Sequence, residues 1–394
     1  MLQIHPITGE ITVAYSMTTS DTAYVLGKNA SITTTSADAL YQASGVSNNL
    51  VVVKGHIAGG TADLDSAVTL SGKDSEIRIG KTGAIGADTG IELGGFDQLV
   101  VNHGRIDASG FGIWAQSNGT IENYGRISGD QNGFISGGVH SVSVFNGEGA
   151  RITSQVAAVQ FSGTYDTASH FTNEGLIDGP WAFSSAYGNE TVINHGRMKG
   201  SITMGEGNDT FDNRGGSVDH EISGQKGDDR LITDDANVHL KEELNEGSDT
   251  VLATVSYKLT PNVENLVLRG KTDINGIGTD ADNSLTGNNG DNRLKGLAGF
   301  DSLNGARGND IMTGGAGADL FLFAKGGGRD VITDFASGAD HIDLGGQDVI
   351  ADFNDMIDNH VTASHGDLVI HMGKDTLTLE DTDIKDLSWQ DFYF

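Results

Sequence analysis

The sequence predicts an all-β fold: a right-handed parallel β-helix (solenoid) running into a tighter parallel β-roll, with a β cap behind it. Three observations predict it. The 394 residues hold 57 Gly and only 3 Pro, which suits short strands joined by tight turns. A phrase of the form Asn-x-Gly-x-Ile recurs from about residue 28 to 218. A second motif, nine residues long, repeats without a slip from Gly278 onward. The expected boundaries are 1–203 for the β-helix, 204–270 for a transitional solenoid or connector, 271–322 for the roll and 323–394 for the cap. Gly without a G-x-y period excludes collagen, and 37% hydrophobic residues argue against a disordered chain.

The β-helix comes first. Its phrase reads Asn102-His103-Gly104-Arg105-Ile106, Asn123-Tyr124-Gly125-Arg126-Ile127, Asn173-Glu174-Gly175-Leu176-Ile177 and Asn194-His195-Gly196-Arg197-Met198, with degenerate copies at 28–32, 53–57, 80–85, 146–152 and 213–218. Successive copies start 19 to 27 residues apart, the length of one β-helix coil. Short β-branched segments such as Thr191-Val192-Ile193 precede the phrase. The Gly is expected to take a turn conformation closed to other residues. The Ile is expected to point inward, and the Asn amides to stack along the axis. A β-sandwich is the alternative, and nine recurrences favour the solenoid. In the connector, Gly205-Glu206-Gly207-Asn208-Asp209 and Gly224-Gln225-Lys226-Gly227-Asp228-Asp229 blend the two motifs. Strands are expected at 250–255 and 265–268, with a turn at Pro261.

In the roll, Gly278, Gly287, Gly296, Gly305 and Gly314 open five units close to G-G-x-G-x-D-x-L-x. Position 6 is Asn283, Asn292, Asp301, Asp310 and Asp319; position 8 is Leu285, Leu294, Leu303, Met312 and Phe321. Six residues make a turn with inward carbonyls and three make a strand. Two units complete a coil, so each unit stacks on the next but one, about 4.8 Å away. Facing turns then offer oxygen donors and negative charge, the set that Ca²⁺ prefers over Zn²⁺ or Mg²⁺. Stacked carboxylates repel without an ion, so folding and binding are expected to be one event. A solvated acidic face is the bland alternative, and the regular spacing argues against it.

Composition narrows the partners. A net charge of −30, from 54 Asp and Glu against 24 Lys and Arg, repels phosphate backbones and disfavours nucleic acid. There is no Cys, hence no disulfide and no thiolate site. No apolar run approaches the roughly 20 residues of a membrane span. Residues 1–20 show no basic n-region, apolar core or A-x-A site, so secretion needs a signal elsewhere.

The nonapeptide stretch resembles the RTX parallel β-roll of proteins exported by type I secretion. The resemblance implies about three Ca²⁺ sites. Each would take the position-2 and position-4 carbonyls and the position-6 side chain of one unit, with the position-1 and position-3 carbonyls and the position-6 side chain of the unit stacked on it. Carried over, one site takes Thr279, Ala281 and Asn283 with Gly296, Ala298 and Asp301. A second takes Asn288, Gly290 and Asn292 with Gly305, Arg307 and Asp310. A third takes Leu297, Gly299 and Asp301 with Gly314, Ala316 and Asp319. The third has two carboxylates and is expected to be tightest; Asn283, Asn292 and Ala281 weaken the others. Asp209 and Asp229 are candidates for an upstream, imperfect site. Residues 321–323, 328–335 and 338–344 look like the C-terminal domain of serralysin-type secreted proteins, which caps the roll. Trp389-Gln390-Asp391-Phe392-Tyr393-Phe394 is similar to the uncleaved export signal of such proteins. The implied partner is the type I secretion apparatus, and the implied location is extracellular. The resemblance covers about 200–394; residues 1–200 are only loosely similar to β-helical passenger regions of bacterial surface proteins. Extracellular calcium modules bind at about 10⁻⁴–10⁻³ M, so the chain is expected to stay unfolded in the cytosol and to fold outside.

Enzyme motifs are sparse. His-Glu-x-x-His is absent, since His220-Glu221 is followed three residues on by Gly224, and a zinc protease is not expected. Neither G-x-S-x-G nor a Cys nucleophile occurs. His103 and His195 share a phrase position but stand four rungs, about 19 Å, apart, and read as turn histidines. Arg105, Arg126, Arg151 and Arg197 recur before the inward residue and could line up along an acidic glycan; pairing with nearby Asp or Glu is the alternative. Trp114 and Trp181 are expected to be partly core. The leading reading is a secreted calcium-binding adhesin or extracellular interaction module that meets polysaccharide or a cell surface. The alternative is a polysaccharide-modifying lyase, epimerase or glycosidase on the N-terminal β-helix.

Overall fold

Strands that alternate one inward apolar residue with one outward polar residue set how each coil closes. The computed structural model describes residues 2–60, 65–138, 140–164, 167–346 and 348–394. The chain divides into two compact units, Met1–Gly227 and Asp228–Phe394. Both are parallel β-solenoids, as the repeats require.

In the first unit, Leu50–Val53, Glu76–Ile79, Gln98–Asn102, Gly119–Asn123, Val142–Asn146, His170–Asn173 and Thr191–Asn194 form one parallel ladder. After each Asn-x-Gly turn a second ladder runs through Arg105–Ala115, Arg126–Gly129, Arg151–Ser154, Leu176–Ser185 and Arg197–Thr203. Asn132–Ser136 and Ala157–Phe161 build a third side. Ile106, Ile127, Ile152, Ile177 and Met198 fall at the same register position and are fully buried. Each such side chain contributes about 1.5–3 kcal/mol by leaving water.

The Asn of the phrase is buried and forms a continuous amide ladder. Asn102 Nδ2 donates to Asn123 Oδ1, Asn123 to Asn146, Asn146 to Asn173 and Asn173 to Asn194, each at 2.8 Å, and Asn194 donates to Asn213 at 2.7 Å. An amide carries both donor and acceptor, so identical copies satisfy one another. The Gly of the phrase works differently from expectation. Gly104, Gly125, Gly175 and Gly196 are not in the left-handed region. They are Gly because a Cβ would overlap the carbonyl oxygen of the residue one rung away, Gly104 O in the case of Gly125. Trp181 also departs from expectation. It is 47% exposed, and the register of its strand shifts on both sides of it, after Asp178 and before Phe183.

The second unit has two-sided coils. One side runs Arg230–Thr233, Thr250–Ala253, Asn265–Leu268, Ser284–Thr286, Ser302–Asn304, Leu320–Leu322 and His341–Asp343. The other runs Tyr257–Lys258, Gly276–Ile277, Arg293–Ala298, Ile311–Ala316, Arg329–Ile332 and Asp375–Leu379. Asp367–Met372 and Val361–Ser364 then add antiparallel strands that close this second side.

Candidate metal centre

Each nonapeptide turns its position-8 residue inward, and these residues stack every second unit. Leu285, Leu303 and Phe321 align on one side, Leu294 and Met312 on the other, all fully buried. Pairs such as Leu285–Leu303 and Leu294–Met312 are eighteen residues apart, so unit n does stack on unit n+2. The six-residue turns are thereby brought face to face.

Position 4 lies in the left-handed region in the last three units, though not at Ala281 or Gly290. Gly299, Gly308 and Gly317 have φ of 119°, 132° and 149°, and a Cβ on Gly317 would overlap the Gly299 carbonyl. Leu297 at position 2 also lies there, with φ 95°, a strain of order 1–3 kcal/mol that the surrounding turns must hold in place.

Position 6 carries the polar column. Asp301, Asp310 and Asp319 are at most 2% exposed. The backbone N–H of each position-6 residue donates to the carboxylate one coil on: Asn283 to Asp301 Oδ1 at 2.8 Å, Asn292 to Asp310 Oδ1 at 2.7 Å and Asp301 to Asp319 Oδ1 at 2.9 Å. The second oxygen of each carboxylate is buried without a hydrogen-bond partner: Asp301 Oδ2, Asp310 Oδ2 and Asp319 Oδ2. A buried charged oxygen left unmatched is costly. Burial pushes Asp301 up to about 6 and Asp310 up to about 7, with Asp319 and Asp291 respectively adding repulsion. Burial likewise raises Asp319, with Asp340 adding repulsion. Hard, buried, oxygen-only donors under mutual repulsion fit Ca²⁺.

The carried-over ligands fall on stacked turns. At the third site Leu297 pairs with Gly315 and Ala298 with Ala316, while Gly299 N–H donates to Ala316 O at 3.0 Å and Gly314 adjoins Gly296. At the second, Arg307 N–H donates to Asn288 O at 3.3 Å, Gly305 lies against Gly287, and Gly308 lies over Gly290. At the first, Gly296 O adjoins Gly278, Gly299 lies over Ala281, and Thr279 N–H donates to Asn283 Oδ1 at 2.6 Å. The two Asn differ from Asp in one respect. Asn283 Nδ2 donates to the Val263 and Glu264 carbonyls at 3.1 and 3.3 Å, and Asn292 Nδ2 to the Ile274 carbonyl at 2.6 Å. The amide satisfies itself and its neighbours with no ion.

Asp209 and Asp229 fall in different units. Asp209 accepts from Glu190 N–H at 2.6 Å, and burial next to that acid raises it. Asp229 gathers with Glu242 and Asp249, three buried carboxylates whose oxygens lie within 4.8 Å of one another. Asp249, pushed up to about 6 by burial, accepts from Asp229 N–H at 2.8 Å. Sequence reasoning missed Glu242 and Asp249, as well as Asp330 and Asp340. The signal was present for three of them: Gly247-Ser248-Asp249, Gly328-Arg329-Asp330 and Gly338-Ala339-Asp340 each repeat the Gly-x-Asp of positions 4 to 6.

Arg105, Arg126 and Arg151 occupy successive rungs of one exposed column, but Leu176 follows them before Arg197. Asp107 pairs with Arg105 at 2.7 Å and with Arg126 at 3.5 Å, and Asp219 with Arg197 at 3.3 Å. His103 stacks on Tyr124 at 4.8 Å between ring centroids.

Residues 277–321 match the family model of the RTX calcium-binding nonapeptide repeat in four copies. The repeats of the second unit are therefore calcium-binding repeats, and proteins that carry them are typically secreted. No curated protein sequence matches the chain. Among solved structures, the chain is similar to the AlgE6R3 subunit of the mannuronan C5-epimerase of Azotobacter vinelandii. Identity is 26% and the TM-score 0.28, over 34% of this chain and 82% of that one. It is also similar to the extracellular lipase LipA from Serratia marcescens, at 15% identity and a TM-score of 0.22, over 66% of this chain and 40% of the lipase. Neither TM-score supports a transfer of function. Among the described residues, no helix is long and apolar enough to cross a membrane.

Proposed function

We propose that the protein is exported by a type I apparatus, that its second unit folds on calcium outside the cell, and that its first unit then serves as an adhesive or matrix-interaction surface. The buried, unmatched oxygens of Asp301, Asp310 and Asp319 carry the calcium step. The export step is supported by the acid-and-aromatic segment at 389–394. In the folded unit Asp391 is buried and accepts from Ser337 Oγ at 2.7 Å and Gly338 N–H at 2.9 Å. Phe392–Tyr393 pairs with Ile342–Asp343. An export machine would therefore meet this segment only before calcium folds the unit. In a host carrying a type I apparatus, the wild type is expected in the medium, and a chain with Asp391, Phe392 and Tyr393 changed to Ala is expected to stay inside. Equal recovery outside would sink the export reading.

Arg105, Arg126 and Arg151, about 4.8 Å apart from rung to rung, give the first unit a short cationic row for an acidic polysaccharide. The enzyme alternative is favoured by one groove on the first ladder, lined by Asp97, Glu122 and His170 with Asn118, Thr120 and Ser143. One incubation with uronate polymers separates the two. Retention lost in Arg105→Ala/Arg126→Ala supports adhesion, and chain shortening supports the enzyme.

A further inference from the structure

We propose that a further calcium site lies between the turns of residues 305–310 and 325–330, beyond the matched repeats, with Asp310 and Asp330 as its carboxylate ligands. The inference rests on the calcium reading of the repeats. Residues 325–333 read Lys-Gly-Gly-Gly-Arg-Asp-Val-Ile-Thr. They keep Gly at positions 2 and 4, Asp at position 6 and an apolar residue at position 8. The nine-residue phase is lost only because Phe323 and Ala324 intervene, so Asp310 and Asp330 stand 20 residues apart instead of 18.

The geometry of this pair repeats that of the third site. Asp310 N–H donates to Asp330 Oδ1 at 2.9 Å, as Asp301 N–H does to Asp319 Oδ1 at 2.9 Å. Gly308 N–H donates to Gly327 O at 2.9 Å, as Gly299 N–H does to Ala316 O at 3.0 Å. Gly308 bridges Gly328, whose φ is 111°, and a Cβ on Gly328 would overlap the Gly308 carbonyl, just as at Gly317 over Gly299. Asp310 and Asp330 are at most 2% exposed, and Asp310 Oδ2 points into the turn beside Gly305 without a partner. Burial pushes Asp330 up to about 7, with Asp310, Asp375 and Asp291 adding repulsion. The carbonyls of Ala306, Gly308, Lys325 and Gly327 stand at the positions that the repeat scheme assigns to the remaining donors.

The next pair is built differently. Asp319 N–H donates to Asp340 Oδ1 at 2.9 Å, but Asp340 Oδ2 already accepts from Ala336 N–H at 2.8 Å, and Asp391 holds the same loop. The extra site therefore belongs to Asp330 and stops there.

Equilibrium dialysis of the full chain against Ca²⁺ tests this, with wild type beside Asp330→Asn and Asp319→Asn. Asn is tolerated at position 6, as Asn292 shows, so Asp330→Asn is expected to fold and, at a calcium concentration too low to fill sites with a single carboxylate, to bind one ion fewer than wild type. An unchanged count in Asp330→Asn, with a lower one in Asp319→Asn, overturns this site and leaves the repeats intact. A wild type that binds no calcium overturns the calcium reading itself. Hydrogen exchange on the wild type needs no variant. Amides of 325–333 are expected to gain protection at the same calcium midpoint as those of 314–322; protection indifferent to calcium overturns the site.

Discussion

Chelating calcium at neutral pH is expected to unfold the repeats of the Asp228–Phe394 unit and to leave the Met1–Gly227 unit standing. The two solenoids face one physical problem, a buried polar column stacked at every rung. The first unit solves it with Asn, whose amide both donates and accepts, so that five successive bonds of 2.7–2.8 Å need no outside help. The second uses Asp, which only accepts, and leaves Asp301, Asp310 and Asp319 with a buried oxygen each that nothing among the described residues matches. A dication supplies what the chain lacks. At tenfold excess over Kd, each occupied site adds about 1.4 kcal/mol. Three sites then add about 4 kcal/mol, a large share of the roughly 5–15 kcal/mol that holds a domain together. Removing that term while restoring carboxylate repulsion should be decisive. Far-UV circular dichroism would show loss of part of the β signal on adding EDTA and its return with CaCl₂. Hydrogen exchange would assign the loss to 278–333. A melting profile that ignores the chelator would refute the account.

Much of this was legible in the residues, and the gaps have physical causes. The nine-residue period placed the roll and its stacking because two units make one closed coil, a relation that strand spacing alone enforces. The Asn ladder was legible for the same reason: a polar residue at a fixed place in every coil must meet its own copy. What period could not show was why Gly104 and Gly125 are Gly, since crowding by a neighbouring rung is a contact between residues 21 apart. Nor could it show that Asn283 and Asn292 bond backward to the Val263, Glu264 and Ile274 carbonyls, which makes them self-sufficient rather than merely weaker. Asp330 and Asp249 escaped because strict spacing lapses at both ends of the array, where coils lengthen or shorten while the Gly-x-Asp turn persists. The Arg row was visible as a recurrence, but its interruption at Leu176 and its pairing with Asp107 needed the rungs to be laid on one another.

Protons should replace calcium. In EDTA, the second unit is expected to regain structure as pH falls from about 7.5 to about 5.5. In the calcium-free fold Asp301 is held at about 6, and Asp310 and Asp330 at about 7, chiefly by burial and then by neighbouring carboxylates. The unfolded chain titrates its Asp residues near 3.9. The folded state thus binds more protons than the unfolded state across this window, so stability falls as pH rises. The contribution is complete below about pH 4 and is lost as pH climbs through about 6 to 7. Each group whose folded value exceeds the unfolded one contributes in the same sense, so the transition should steepen with the number of stacked Asp. Calcium reverses the dependence, because binding expels those protons. Calorimetric titrations near pH 6.5 in buffers of different ionisation enthalpy should register the release, and the calcium midpoint should move to higher concentration as pH drops. The amide ladder of Asn102 to Asn213 has no proton to gain, so hydrogen exchange along that ladder is the internal control and should hold steady over the same range, whereas Asp209, raised by burial beside Glu190, gives the first unit a pH dependence of its own. A chelated second unit that stays unfolded at pH 5.5, or a calcium affinity indifferent to pH, would mean that the buried Asp column is not what couples this fold to its ion.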